Sequence, residues 1–428
     1  MLCRYDCGSP EHQITRRSLL AGLAGGAMGT FGISRFAVPA VAEELKSAQK
    51  RVLIIFLAGG SSQLETWDPK PNTDTGGPFR AIPTSVPGVH ISELLPYSAK
   101  QMHRMAIVRG INTAEDDHGQ GAYIMETGRR PDNVTRFPAL GSVMSKFVGP
   151  ADSPLPGYIH IQPGGAGYNK QDSAFLGPKF ASVSLGDGNP PPNVVRPESL
   201  TESADRMRNM LRQRANERFA ARRRTAETEA YSYSYEQALQ LMERREVFDV
   251  SKESPQDLER YGTHDFGRHC LLARRLLENG VTCVKVTHSN YDTHWENFDF
   301  HIEQLGEFDR PFASLIGDLA DRGLLDSTLV VVMAEFGRTP RINAGLGRDH
   351  WSRAWSVALA GCGIQHGAVV GKTNPNGTQV TDREVHGGHL FHTYFRALGL
   401  DSKQKYHVGG QPVPVADQTV GPIEELLA

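Results

Sequence analysis

Short runs of aliphatic and β-branched residues recur along this chain, each followed by a stretch of helical period, and that alternation restricts the fold more than any other feature. The runs lie at 52–57, 106–108, 158–161, 281–287, 328–333 and 356–360. Helical periodicity predicts helices over 94–104, 119–127, 140–147, 255–278, 301–322 and 388–398. Apolar runs without alternation suit strands covered on both faces, and a helix between successive strands is the crossover that a parallel sheet requires. The expectation is an α/β fold: a central, mostly parallel β-sheet with helices on both faces, and chemistry gathered in the loops that follow the strands.

The first forty residues bear on location. Thr15-Arg16-Arg17-Ser18-Leu19-Leu20 reads as a twin-arginine signal, followed by a small, weakly apolar run over 19–33 and an Ala40-Val41-Ala42 cleavage site before Glu43. A membrane anchor is the weaker reading, because the run is short, Gly-rich and interrupted by Arg35. The expectation is therefore a signal peptide over 1–42, delivery to the periplasm or the exterior, and no stable membrane insertion once the leader is gone. Its loss takes Lys+Arg from 46 to 42 and Asp+Glu from 48 to 46, a balance near −4 that carries no nucleic-acid signature. Cys3 and Cys7 leave with it, and Cys270, Cys283 and Cys362 stand apart, so neither a thiolate zinc site nor a disulfide scaffold is supported.

The remaining chain, 43–428, is long enough for one large α/β domain. An insertion is expected at about 162–247. Residues 162–200, rich in Gly, Pro, Asn and Ser, read as an ordered loop or flap. Residues 201–247, highly charged, read as one or two amphipathic helices on the outside. Their Arg222-Arg223-Arg224 cluster is diluted by neighbouring acids and reads as a solvated face rather than a polyanion site.

Four clusters carry possible chemistry. After the first strand, Gly59-Gly60 permits close backbone approach to a ligand, and Gln63, Glu65 and Asp68 supply oxygens. Asp116-Asp117-His118 opens a helix, where free amides and the dipole favour an anion. Asp117 there is either a cap or part of the catalytic machinery, and His118 a ligand, a base or a nucleophile. Asp292 and His294, two apart after the fourth strand, point to one side of an extended segment and can converge on a metal. Glu335 ends a buried strand and needs a cationic partner, with Arg338, Arg348, Asp349 and His350 close in sequence. Asp, Glu and His without Cys suit a divalent metal: imidazoles favour zinc or manganese, with calcium or magnesium as alternatives. Arg338 and Arg348 would suit an anionic ester, because their forked donors match phosphate or sulfate oxygens. His386, His389 and His392, three apart at the last helix, could share a face, though helical spacing alone often produces this.

The leader, Phe56 through Pro71, Asp116 through Pro131, Tyr261-Gly262 with Leu271-Leu272-Ala273-Arg274-Arg275-Leu276, Trp295-Glu296-Asn297-Phe298, Glu335 through Pro340 and Gly347 through Trp351 together resemble the DUF1501 family. That is a family of exported bacterial proteins with sulfatase-like members of the alkaline phosphatase superfamily as distant relatives. The resemblance covers essentially the whole mature chain. It implies the alkaline-phosphatase/sulfatase-like sheet, and a metal-dependent hydrolase of sulfate or phosphate esters. Relatives carry a Cys or Ser nucleophile nine residues before the Thr of a Thr-Gly-Arg segment; counted back from Thr127, that position is His118. It also implies that Asp292, His294 and His350 match the later metal ligands, with Glu335 keeping one late carboxylate. Paired aspartates after the first strand are replaced by Ala58-Gly59-Gly60, leaving Gln63, Glu65 or Asp68 to substitute. The alternative is a non-catalytic exported protein that binds sulfated or phosphorylated polysaccharide on the same fold.

Overall fold

The structure is a computed structural model that describes residues 49–428 apart from 133, 151, 152, 154, 164–166, 170, 171, 187–195, 221–225 and 409. The expected leader and the Arg222-Arg223-Arg224 cluster lie outside the described residues.

Nine strands make one sheet: β1 (Arg51–Leu57), β2 (Met105–Ile111), β3 (Tyr158–Gln162), β4 (Gly167–Asn169), β5 (Ser182–Gly186), β6 (Cys283–His288), β7 (Thr328–Met333), β8 (Trp355–Gly361) and β9 (Val369–Val370). Their order across it is β9-β2-β8-β7-β1-β6-β3-β5-β4. The pairings are parallel except for β8 with its two neighbours and the terminal β4–β5 pair. β1 lies in the middle, with Ile55 opposite Val286 on one side and Val332 on the other. Every residue of β1 is buried, and successive side chains of a strand point to opposite faces, so both faces of the sheet are covered. That is why this run is continuously apolar, each fully buried aliphatic side chain contributing roughly 1.5–3 kcal/mol.

The helices are α1 (Pro96–Gln101), α2 (His118–Thr127), α3 (Leu140–Phe147), α4 (Glu202–Ala220), α5 (Ala226–Glu243), α6 (Pro255–Tyr261), α7 (Asp265–Glu278), α8 (Asn297–Asp321) and α9 (Gly387–Ala397). α3 and α7 pack on β6, and α8 packs on α1 and α7. Among the described residues no helix is long and apolar enough to cross a membrane.

Two expectations are corrected. The helix expected over 255–278 is broken: Gly262 leaves α6 at φ +80°, and His264 starts α7 by accepting the Gly267 N–H at 3.3 Å. Within 162–200, β4 and β5 extend the central sheet, so that part is not an insertion outside it. β5 buries Val183 and Leu185 between serines, and so short an alternation is masked by glycines and prolines around it. The segment from 201 on does form two helices, α4 and α5.

Candidate metal centre

The carboxyl ends of the parallel strands bring distant loops together, and glycine sets how closely. Gly59 follows β1 at φ +112°, and a Cβ there would lie 2.4 Å from the amide nitrogen of Asp292. No other residue lets the β1 exit touch the loop after β6. The Gly59 N–H donates to Glu335 Oε1 at 2.9 Å, tying the β7 exit to the same point.

His118 is the first residue of α2. Asp117, in extended conformation, caps the helix by accepting the Gln120 N–H at 2.9 Å. That occupies its Oδ1, and the capping half of the expectation for Asp117 holds. His118 Nδ1 lies 2.7 Å from Glu335 Oε1, and its Nε2 faces Asp292 Oδ2 at 3.4 Å. Glu335 is buried, and its Oε1 meets both the Gly59 N–H and His118 Nδ1, so it stands behind His118 as an orienting carboxylate.

Two more imidazoles meet the other oxygen of Asp292. His294 Nε2 is 3.1 Å and His350 Nε2 3.2 Å from Asp292 Oδ1, and the two Nε2 atoms are 3.1 Å apart. The far nitrogen of each ring is bonded to an oxygen that can only accept: His294 Nδ1 to Asp349 Oδ1 at 2.7 Å, and His350 Nδ1 to the Asp116 carbonyl at 2.7 Å. His118 repeats the pattern with Glu335. A neutral ring has one hydrogen, and these partners place it on Nδ1. With the rings in that neutral form, three bare Nε2 lone pairs surround one carboxylate. Acceptors facing acceptors repel unless a cation lies between them, and imidazoles oriented by carboxylates and carbonyls are what metal centres use. His118, Asp292 and His350 each offer an atom within 4.8 Å of the others, and His294 adjoins them.

Asp292 is half exposed. Partial burial alone would raise its carboxyl, but a 2.5 Å bond from Arg338 Nη2 and the guanidinium charge hold it down to about 2. It is ionised and available as a ligand at any ordinary pH.

Several expected site residues are engaged elsewhere. Arg338 is fully buried and donates to the carbonyls of Gly59, Gly60 and Arg348 besides Asp292, so it braces the strand exits instead of gripping substrate. Arg348 is likewise buried; it donates to both Glu65 oxygens and to the carbonyls of Thr75, Thr339 and Pro340, which uses all five of its hydrogens. Glu65, paired to it at 2.8 Å and fully buried, is not a metal ligand. Nor does Asp68 reach the cluster, its oxygens being taken by Lys70 Nζ at 2.9 Å and Thr373 Oγ1. The late histidines do not share a metal: His392 is buried on Ser402 Oγ and the Asp417 carbonyl, while His386 Nδ1 bonds the Asn112 carbonyl. Sequence reasoning did not assign roles to Asp349 and Asp116 as orienters. The Asp-His dipeptide at 349–350 signals the first, and nothing signals a carbonyl.

Several solved structures resemble the chain. The lipoteichoic acid synthase from Listeria monocytogenes is 9% identical with a TM-score of 0.37, over 89% of this chain and 80% of that one. A sulfatase from Pseudoalteromonas sp. is 12% identical with a TM-score of 0.38, over 86% and 72%. A protein in the alkaline phosphatase superfamily from Vibrio parahaemolyticus is 10% identical with a TM-score of 0.39, over 90% and 79%. No curated protein matches. A family model described as "Protein of unknown function (DUF1501)" matches residues 49–427, and with nearly all of the chain covered it belongs to the DUF1501 family.

Proposed function

We propose that this chain is an exported, metal-dependent hydrolase of phosphate or sulfate esters, with His118, Asp292, His294 and His350 holding a divalent ion, zinc or manganese in preference to calcium or magnesium. The observation that carries this reading is the convergence of three Nε2 atoms on Asp292 while every Nδ1 is tied to an oxygen. The donor set fits such an ion, being nitrogen-rich, free of thiolate and anionic by one carboxylate. An ion held there would lower the pKa of a water to about 7 and neutralise ester oxygens.

The chain's own groups do the rest. Glu335, Asp349 and the Asp116 carbonyl fix three rings, and Arg338 keeps Asp292 ionised. His118 sits in the first turn of α2, whose positive end favours an anion beside the cluster. With Arg338 and Arg348 both turned inward, recognition of an anionic small-molecule or polysaccharide ester falls to the held ion and that helix end. The same inward turn favours, as a second reading, an exported polysaccharide-binding protein without turnover. Delivery to the periplasm or exterior follows from the twin-arginine leader.

Elemental analysis of the purified chain beside Asp292→Ala and His350→Ala, with hydrolysis of p-nitrophenyl phosphate and p-nitrophenyl sulfate, tests this. Stoichiometric metal lost in both variants, with turnover lost in parallel, is the expected result. Metal without turnover of either ester would move the assignment to the binding protein. No metal in the wild type, after growth with zinc and manganese, would overturn the metal centre itself.

A further inference from the structure

Helix α4 is built inside out. Among its described positions the half-buried ones are Asp205, Asn209, Arg212 and Asn216, spaced four, three and four apart along one face, and all of them are polar. At 100° per residue the opposite face carries Met207, Met210, Leu211, Arg214 and Arg218. Met207 is 59%, Met210 44% and Leu211 57% exposed. A helix packed on a globular protein normally turns its apolar stripe inward. Here the polar stripe is used for packing, and three large apolar side chains are held out in water.

Charge decides what can cover them. α4 has five arginines (206, 208, 212, 214 and 218) against Glu202, Asp205 and Glu217, whereas the whole chain has a formal charge of −2. Arg206 is paired with Glu202, but Arg214 and Arg218, on the apolar face itself, carry no ion pair with a described residue. Arg222-Arg223-Arg224 follow the helix in the sequence. A second copy of the same face would set arginines against arginines, and a soluble polyanion would leave the Met-Met-Leu stripe in water. An anionic bilayer surface satisfies both, taking the apolar side chains at the acyl boundary and the guanidinium groups at the headgroups.

We propose that the outer face of α4 binds the chain peripherally to anionic lipid membranes, lying in the interface without spanning it. Such binding does not depend on what the candidate metal centre does.

Co-sedimentation with vesicles of phosphatidylglycerol and phosphatidylcholine (1:1), compared with pure phosphatidylcholine, tests the proposal in full-length protein. The comparisons are M207S/L211S and R214Q/R218Q; both variants keep residues 1–48, so any binding by that segment is common to all. Expected is binding to the mixed vesicles only, weakened at least tenfold by either pair of substitutions, with circular dichroism and metal content unchanged. Binding unaffected by either pair, or no binding to the mixed vesicles, would overturn it. So would binding to dextran sulfate that depends on the arginines while vesicle binding does not depend on Met207 and Leu211. A dimer in sedimentation equilibrium that M207S/L211S converts to monomer would assign the face to a second copy instead.

Discussion

Glu65 with Arg348, and Asp292 with its three histidines, are both clusters of charged and polar groups formed by the same loops, yet they are opposites in their hydrogen count. Arg348 has five hydrogens and five acceptors facing them, and Glu65 receives two of those bonds. Nothing is left over, and both side chains are fully buried. Asp292 Oδ1 has one certain donor, Arg338, while His294 and His350 turn bare nitrogens to it at 3.1 and 3.2 Å. The first cluster is closed, and the second keeps acceptors that a cation could use. Both are carboxylates that meet basic side chains in the fold. Only the tally of hydrogens separates a structural ion pair from a binding centre.

The largest effects should come from breaking the closed cluster. Glu65→Ala leaves a guanidinium buried with two donors unmatched, and such a loss costs about 3–5 kcal/mol. Chemical denaturation should show it, or the variant should fail to accumulate folded. Asp292→Ala is the mirror experiment. In chelator its stability should stay within about 1 kcal/mol of wild type, because Arg338 retains three carbonyl acceptors, while stoichiometric metal disappears. A large destabilisation of the chelated Asp292→Ala protein would show that Asp292 serves as a structural partner for Arg338 and would erase the contrast.

A smaller effect should come from behind the ligands. Asp349→Asn keeps the shape but weakens the hold on the His294 Nδ1 hydrogen, and loss of an orienting partner costs about 10–100-fold in metal affinity. Competition with a fluorescent zinc chelator reads this directly. Glu335→Gln should act similarly through His118. Unchanged affinity in both would mean that the rings are held by packing, for instance by the stacking of His350 on Phe336 at 4.3 Å, and not by their Nδ1 partners.

How far this was legible in the sequence follows from the same distinction. The apolar runs gave six of the nine strands, because a strand covered on both faces records its burial in every residue. β4 and β9 are too short to record anything, and β5 alternates within a Gly/Pro-rich stretch. At the site, Asp292 with His294 and Asp349 with His350 were visible as local pairs. The pairing of His118 with Glu335, 217 residues apart, was not, nor was the inward turn of Arg338 and Arg348. An arginine beside an acid reads the same whether it is buried or exposed, and the sequence offers both as substrate ligands on that ground. Which of them had spare hydrogens depended on backbone carbonyls, which leave no mark in a sequence.

A third carboxylate lies between the two extremes, and its effect is confined to a narrow pH interval. Asp309 on α8 is buried and accepts the N–H groups of Tyr97 and Ser98 at 2.7 and 2.8 Å, at the start of α1. Burial pushes its carboxyl up to about 6 despite those bonds and the charge of Lys100. Its folded-state value is therefore above the unfolded one, and between pH 4 and 6 the folded chain holds a proton that the unfolded chain has lost. The contribution of this group to stability is greatest below pH 4 and declines as pH rises to 6, by up to about 3 kcal/mol. In Asp309→Asn the same interval should be flatter by that amount, and the difference between the two denaturation profiles isolates this residue from every other titrating group. A difference of opposite sign would mean that the two amides outweigh burial. Asp309 would then belong with Glu65 as a carboxylate whose hydrogen bonds are complete.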